Sequence, residues 1–230
     1  MELLRTEKLE KVYQDNSVAV HALRGIDIQV DRGEFVAVVG PSGSGKSTFM
    51  NLIGTLDEPT SGRVYLEGTD LGTLTGNERA ELRLHKIGFI FQAYNLVPVL
   101  TVRENVEFTM MLQGVPRSER VKRIQSVLDE IGIGDYLDRK PDKLSGGQQQ
   151  RVAVARAIIG EPLLVLADEP TANLDSRSGE TVLDLMESMN REKQITFIFS
   201  THDTQVMDRA HRLLVLKDGK IVDDRIQNSS

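Results

Sequence analysis

Apolar positions in the first third of the chain follow the periods of strands. Ile26, Ile28 and Val30 alternate with polar residues, as in a strand with one wet face, and GRVYLEG at 62–68 is a short strand between glycines. EFVAVVG at 34–40 is instead a continuous apolar run, which marks a strand buried on both faces, and it ends in a glycine-rich loop. Further runs occur at 86–92 (KIGFIFQ), 163–170 (LLVLADEP), 195–203 (ITFIFSTHD) and 212–222 (RLLVLKDGKIV), the last broken by Asp218-Gly219, a hairpin signal. Between them lie helix-patterned segments: STFMNLIGTL after the glycine loop, 117–133, 148–159 and 178–193.

Strands alternating with helices predict an α/β fold with a parallel core and an antiparallel patch beside it, with ligands gathered at the strands' carboxyl ends. Residues 93–158 contain no convincing strand and are expected to form a helical insertion into the sheet domain. A length of 230 residues suits one domain carrying such a subdomain. No apolar run approaches the ~18 residues of a membrane span, and MELLRTEKLEKVY lacks the basic and apolar regions of a signal peptide. The expected location is therefore cytoplasmic. With no cysteine, disulfides and thiolate metal sites are excluded. Net charge is −6 with the basic residues scattered, so a nucleic-acid partner is not expected.

The chemistry concentrates where runs end. GPSGSGKST, from Gly40 through Pro41, Ser42, Gly43, Ser44, Gly45, Lys46 and Ser47 to Thr48, has the phosphate-loop spacing between an apolar strand and a helix. Its backbone can cradle phosphates, Lys46 can reach the β- and γ-phosphates, and the Ser47 hydroxyl can ligate Mg²⁺. LLVLADEP ends in Asp168, suited to the magnesium shell through water, and Glu169, a candidate general base; taken alone, such a pair would be a solvated turn. Gln92 closes another buried run and can contact the metal or its waters. The apolar stretch after it, Tyr94 and Leu96 to Leu100, is either subdomain core or an exposed docking patch. His202 ends ITFIFS and can donate to a γ-phosphate, a context that His21, His85 and His211 lack. Tyr13 can stack on a base, although on the residues alone strand packing is the safer reading.

LSGGQQQRVAVARA at 144–157 is a second possible anion site. Ser145 and Gln148 have capping-box spacing, and Val152, Ala155 and Ile159 form an apolar stripe, so a capped core helix explains all but the pair Gly146-Gly147.

Together these motifs resemble the ATP-binding cassette (ABC) ATPases, whose signature is LSGGQ. The order also matches: Tyr13, the phosphate loop, Gln92, Ser145 to Gln148, Asp168-Glu169, Asn173 to Asp175, then His202. Within the family, LDEPTSG (56–62), FQAYNLVPVLTVRENV (91–106) and LSGGQQQRVAVARA are most similar to the ATPase subunits of macrolide-exporter and lipoprotein-releasing systems. Ala172 stands where those relatives usually have glycine, with Asn173 and Asp175 retained. The resemblance implies a P-loop NTPase (RecA-like) core of residues 1–92 and 159–230 with an antiparallel β subdomain, and a helical subdomain, 93–158, carrying the signature. It implies ATP and Mg²⁺ as ligands, the metal near Ser47, Gln92 and Asp168, with Glu169, His202 and Lys46 catalytic. It also implies a head-to-tail homodimer in which Ser145, Gly146, Gly147, Gln148 and Asp175 reach ATP on the other copy. A membrane permease docking near residues 93–105 would hold the dimer on the inner face of the membrane. The alternative function is a regulator that signals through a membrane partner to a periplasmic enzyme without transport.

Overall fold

The computed structural model describes residues 1–15 and 18–227. Two long antiparallel strands, β1 (Glu2–Asp15) and β2 (Val18–Asp31), open the chain. With β4 (Ser61–Leu66) and β5 (Thr69–Asp70) they form a four-stranded sheet in the order β2-β1-β4-β5. Ile26 and Val30 are buried and Ile28 nearly so, as their alternation requires.

The second sheet contains β3 (Phe35–Val39), β6 (Ile87–Ile90), β7 (Leu164–Asp168), β8 (Thr196–Thr201), β9 (Arg212–Lys217) and β10 (Lys220–Ile226). Its order is β10-β9-β3-β8-β7-β6, parallel except for the terminal hairpin β9–β10. Asp218 and Gly219 turn that hairpin with positive φ at both positions, 49° and 77°. β3 is buried along its whole length at the centre of the sheet, which is why its sequence is continuously apolar.

Helix α1 (Lys46–Ile53) follows the phosphate loop and buries Phe49, Met50, Leu52 and Ile53 between the two sheets. On the other face of the second sheet, Phe35, Phe197 and Phe199 pack against α6 (Ser176–Lys193) through Val182, Leu183, Met186 and Met189. Between β6 and β7 the chain forms no strand, and α3 (Val102–Leu112), α4 (Arg117–Glu130) and α5 (Gly146–Ile158) enclose a separate core of Val106, Met110, Ile124, Leu128, Val152 and Ala155. No helix among the described residues is long and apolar enough to cross a membrane.

Two elements depart from the pattern reading. Residues 76–86 form a helix, α2 (Gly76–Lys86), with a full capping box between Thr75 and Glu78. It buries no residue, so it presents no apolar stripe to detect. The short α7 (Thr204–Arg209), capped by Asp203, also escaped the periodicity.

Candidate active site

The phosphate loop joins β3 to α1 with little room to spare. At Gly40, φ is 156° and an added Cβ would lie 2.0 Å from the Leu216 carbonyl oxygen, so no side chain fits. The Gly219 N–H donates to the Ser44 carbonyl at 3.0 Å, fastening the loop to the β9–β10 hairpin behind it. Ser44 itself is buried under the loop with no hydrogen-bond partner for its hydroxyl. The Lys46 ammonium donates to the Gly40 and Pro41 carbonyls, at 2.8 and 3.2 Å.

An open cleft of about 620 Å³ lies over this loop. It is lined by Gly40 to Gly43, Gly45 to Thr48, Gln92, Glu169, Ser200 and His202, with Val20, His21 and Ala22 forming the wall from β2. Glu169 has φ 47°, a left-handed conformation uncommon outside glycine. Its N–H donates to the Ser200 carbonyl at 2.8 Å, and one carboxylate oxygen lies 2.8 Å from His202 Nδ1. Asp168 is half-buried beside the cleft and accepts from the Ser200 hydroxyl at 2.7 Å.

Tyr13 lies opposite Val20 in the β1–β2 ladder and is partly exposed. Its hydroxyl donates to Asp57 at 2.8 Å, and burial and then this carboxylate push its ionisation up. The Lys11 ammonium sits 4.9 Å from its ring centroid. Tyr13 thus flanks the cleft without lining it, one strand away from Val20 and His21.

Ser145 to Gln148 lie outside the cleft lining of their own chain. The capping box forms as its spacing predicts: the Ser145 hydroxyl accepts from the Gln148 N–H, and the Gln148 carboxamide accepts from the Ser145 N–H at 2.9 Å. The two glycines have a packing explanation that the sequence did not reveal. A Cβ on Gly147 would meet the Ser178 side chain at 2.9 Å, and one on Gly146 the Tyr94 hydroxyl at 2.9 Å. Asp175 caps α6, accepting from the Ser178 N–H and hydroxyl at 3.0 and 2.7 Å, and the hydroxyl above all holds its carboxyl below the ordinary range.

Three residues gained significance only from the structure. His21, set aside in the sequence, lines the cleft because β2 folds over the phosphate loop. Arg156 reaches from α5 to the Tyr94 and Asn95 carbonyls, gripping two consecutive residues of positive φ just after Gln92; burial pulls its ionisation down. Gln150 is fully buried and donates to the Pro170 carbonyl at 2.6 Å. None of the three carries a local signal in the sequence.

The family described as ABC transporter matches residues 23–172, more than half of the chain. The chain belongs to the ABC transporter family. Among ABC relatives, it is 48% identical over 96% of its length to the macrolide export ATP-binding/permease protein MacB of Brucella melitensis, and it spans only 34% of that protein. It is 45% identical to the lipoprotein-releasing system ATP-binding protein LolD of Aquifex aeolicus, covering 96% of both chains. Among solved ABC structures, the dimeric post-hydrolysis state of the cassette MJ0796 bound to ADP and Pi superposes with a TM-score of 0.90 at 39% identity, covering 98% of this chain and 99% of that one. The mixed sheet and flanking helices are the ABC ATPase form of the P-loop NTPase fold, as the motif order implied.

Proposed function

We propose that this chain is an ATP-hydrolysing cassette that pairs head to tail with a second copy and drives a membrane permease of the export or lipoprotein-release type. The observation that carries this reading is the separation of the two anion-binding features: the phosphate loop and Glu169 share one cleft, while Ser145 to Gln148 lie outside it. A second copy supplying Ser145, Gly146, Gly147, Gln148 and Asp175 would close the open side, and two-fold symmetry makes two identical sites. The dimeric state of MJ0796 and the names of the MacB and LolD relatives support this choice. They also favour a transport system over a regulator that moves nothing.

Within the cleft, the loop N–H groups and Lys46 hold the phosphates, and Lys46 exchanges its two carbonyl partners for phosphate oxygens. Tyr13 meets the base at the edge. Glu169 takes the proton of the attacking water, while His202, beside the same carboxylate, orients it and donates toward the γ-phosphate. Ser47, Gln92 and Asp168 offer a hydroxyl, an amide and a carboxylate oxygen, a hard donor set that suits magnesium. When bound, Mg²⁺ would neutralise phosphate charge at these three side chains.

Residues 93–158 serve as the helical subdomain, and the core comprises 1–92 and 159–230. The permease docks at the segment after Gln92, where Val97 and Val99 are exposed, continuing onto Phe108, Met111 and Leu112 of α3. That attachment places the cassette at the cytoplasmic face of the membrane. The reading is tested with Glu169→Gln in saturating ATP and Mg²⁺: light scattering should report a stable dimer, and a monomer would refute the composite site.

A further inference from the structure

Gln150 sits on α5 five residues after Ser145, roughly 7–8 Å along the helix axis from the signature start. Its side chain is completely buried, yet it carries a polar group that is only half satisfied. Nε2 donates to the Pro170 carbonyl at 2.6 Å, while Oε1 has no donor within the chain. Packing alone does not explain this choice: methionine would fill much the same volume, trading the orphaned Oε1 for an unpartnered Pro170 carbonyl. What the amide provides is a fixed point on the backbone carbonyl immediately after Glu169.

Glu169 needs such fixing. Its left-handed backbone persists only where the surroundings over-determine it. On one side the Ser200 carbonyl holds its N–H; on the other, the Gln150 amide holds the carbonyl of Pro170, one residue on. The start of α5 also faces the same loop, where a Cβ on Gly146 would lie 3.6 Å from the Asn173 carbonyl oxygen and 3.7 Å from the Leu174 side chain. The signature helix and the Glu169 loop therefore form one packed body.

We infer that Gln150 is a positioning residue that ties the signature helix to the carbonyl beside Glu169, so that displacement of the helix start reaches the carboxylate of the same chain. The inference rests on the proposed ATPase reading. It adds a route by which ATP held against Ser145 by one copy is sensed at the Glu169 of the other.

The test uses the full chain with Gln150→Met, which keeps the volume and removes the donor. Steady-state ATPase titrations should show kcat reduced about 10- to 100-fold, the order expected for a misplaced general base, with KM for ATP within about twofold. The melting temperature should stay within about 3 °C of the parent, because losing the unpaired Oε1 offsets losing the donor to Pro170. In the Glu169→Gln background, Gln150→Met should still give the ATP-dependent dimer by light scattering. An unchanged kcat would overturn the inference, as would a lost dimer or a KM rising with the fall in kcat, because Gln150 would then merely support the signature. Should Gln150→Met fail to fold, Gln150→Asn, which keeps an amide but is one methylene short, is read against the same outcomes. A parent chain without ATPase activity, together with a monomeric Glu169→Gln, brings down the proposed function itself and the inference with it. An active, dimerising parent with an indifferent Gln150→Met brings down only the inference.

Discussion

Substituting the signature glycines separately distinguishes a packing role from a phosphate-binding one. In Gly147→Ala the new Cβ would lie 2.9 Å from both Cβ and Oγ of Ser178. That side chain cannot simply rotate away, because its hydroxyl donates to Asp175 at 2.7 Å and its N–H is held by the same carboxylate. Overpacking of this kind costs about 1–3 kcal/mol. Replacing a helical glycine by alanine returns roughly 0.5–1 kcal/mol, leaving a net loss of about 1–2 kcal/mol. For a chain of this size that is a fall in Tm of about 2–8 °C. In Gly146→Ala the near atom is instead the tip of Tyr94, whose hydroxyl makes only a long 3.3 Å bond to the Asn173 carbonyl and can swing aside. The helix-propensity gain then dominates, and Tm should hold or rise by about 1–3 °C. Calorimetric melts of both variants without nucleotide give the comparison. ATPase activity should fall in Gly147→Ala, because relieving the contact with Ser178 shifts the start of α5 and with it the surface that Ser145 offers to the partner's ATP. Equal melting temperatures would refute the packing argument, and full activity in Gly147→Ala would refute the trans contact.

Glu67 is held below the ordinary carboxylate range, first by its hydrogen bond from Lys86 and further by Arg32. A depressed carboxyl contributes stability that is present above its unfolded pKa, about 4.5, and is lost as pH falls through the folded value. Glu67→Gln should therefore lower Tm at pH 7 by a small amount, as befits a partly exposed pair, and the difference from the parent should shrink as pH falls below about 4.5 and vanish only below the folded value. Tyr13→Ala should raise the KM for ATP on the order of tenfold, in line with about 1–3 kcal/mol for stacking, whereas Tyr13→Phe should leave it within twofold; equal effects in ATPase titrations would assign the role to the Asp57 hydrogen bond instead.

The elements that carry the proposed phosphate site were legible because each is a buried strand ending abruptly in polar residues: β3 before Gly40, β7 before Glu169 and β8 before His202. Burial on both faces leaves a continuous apolar run that few other structures produce. The capping box at Ser145 was equally readable, since it is set by residues three apart. The same signal stands before α2 at Thr75 and Glu78, but without an apolar stripe behind it there was nothing to support a helix. Long-range effects stayed hidden for a different reason. The grip of Arg156 on Tyr94 and Asn95, the place of His21 on the cleft wall and the purpose of Gly147 all depend on which segments the topology brings together. Nothing in the residues adjacent to each records that neighbour.

The central position of β3 has a consequence for how the protein is made. The strand that delivers the phosphate loop pairs on one side with β8 and on the other with β9, and the loop's back is closed by the β9–β10 hairpin through Gly219. All three leave the ribosome long after residues 40–48. Until they do, β3 has two unpaired edges and the loop lacks its support, so a nascent chain carrying the complete phosphate-loop sequence is not yet a nucleotide receptor. Capture of ATP during synthesis is thereby delayed until nearly the whole cassette has emerged, and a translation product truncated before the hairpin would expose apolar strand edges to chaperones instead of competing for nucleotide.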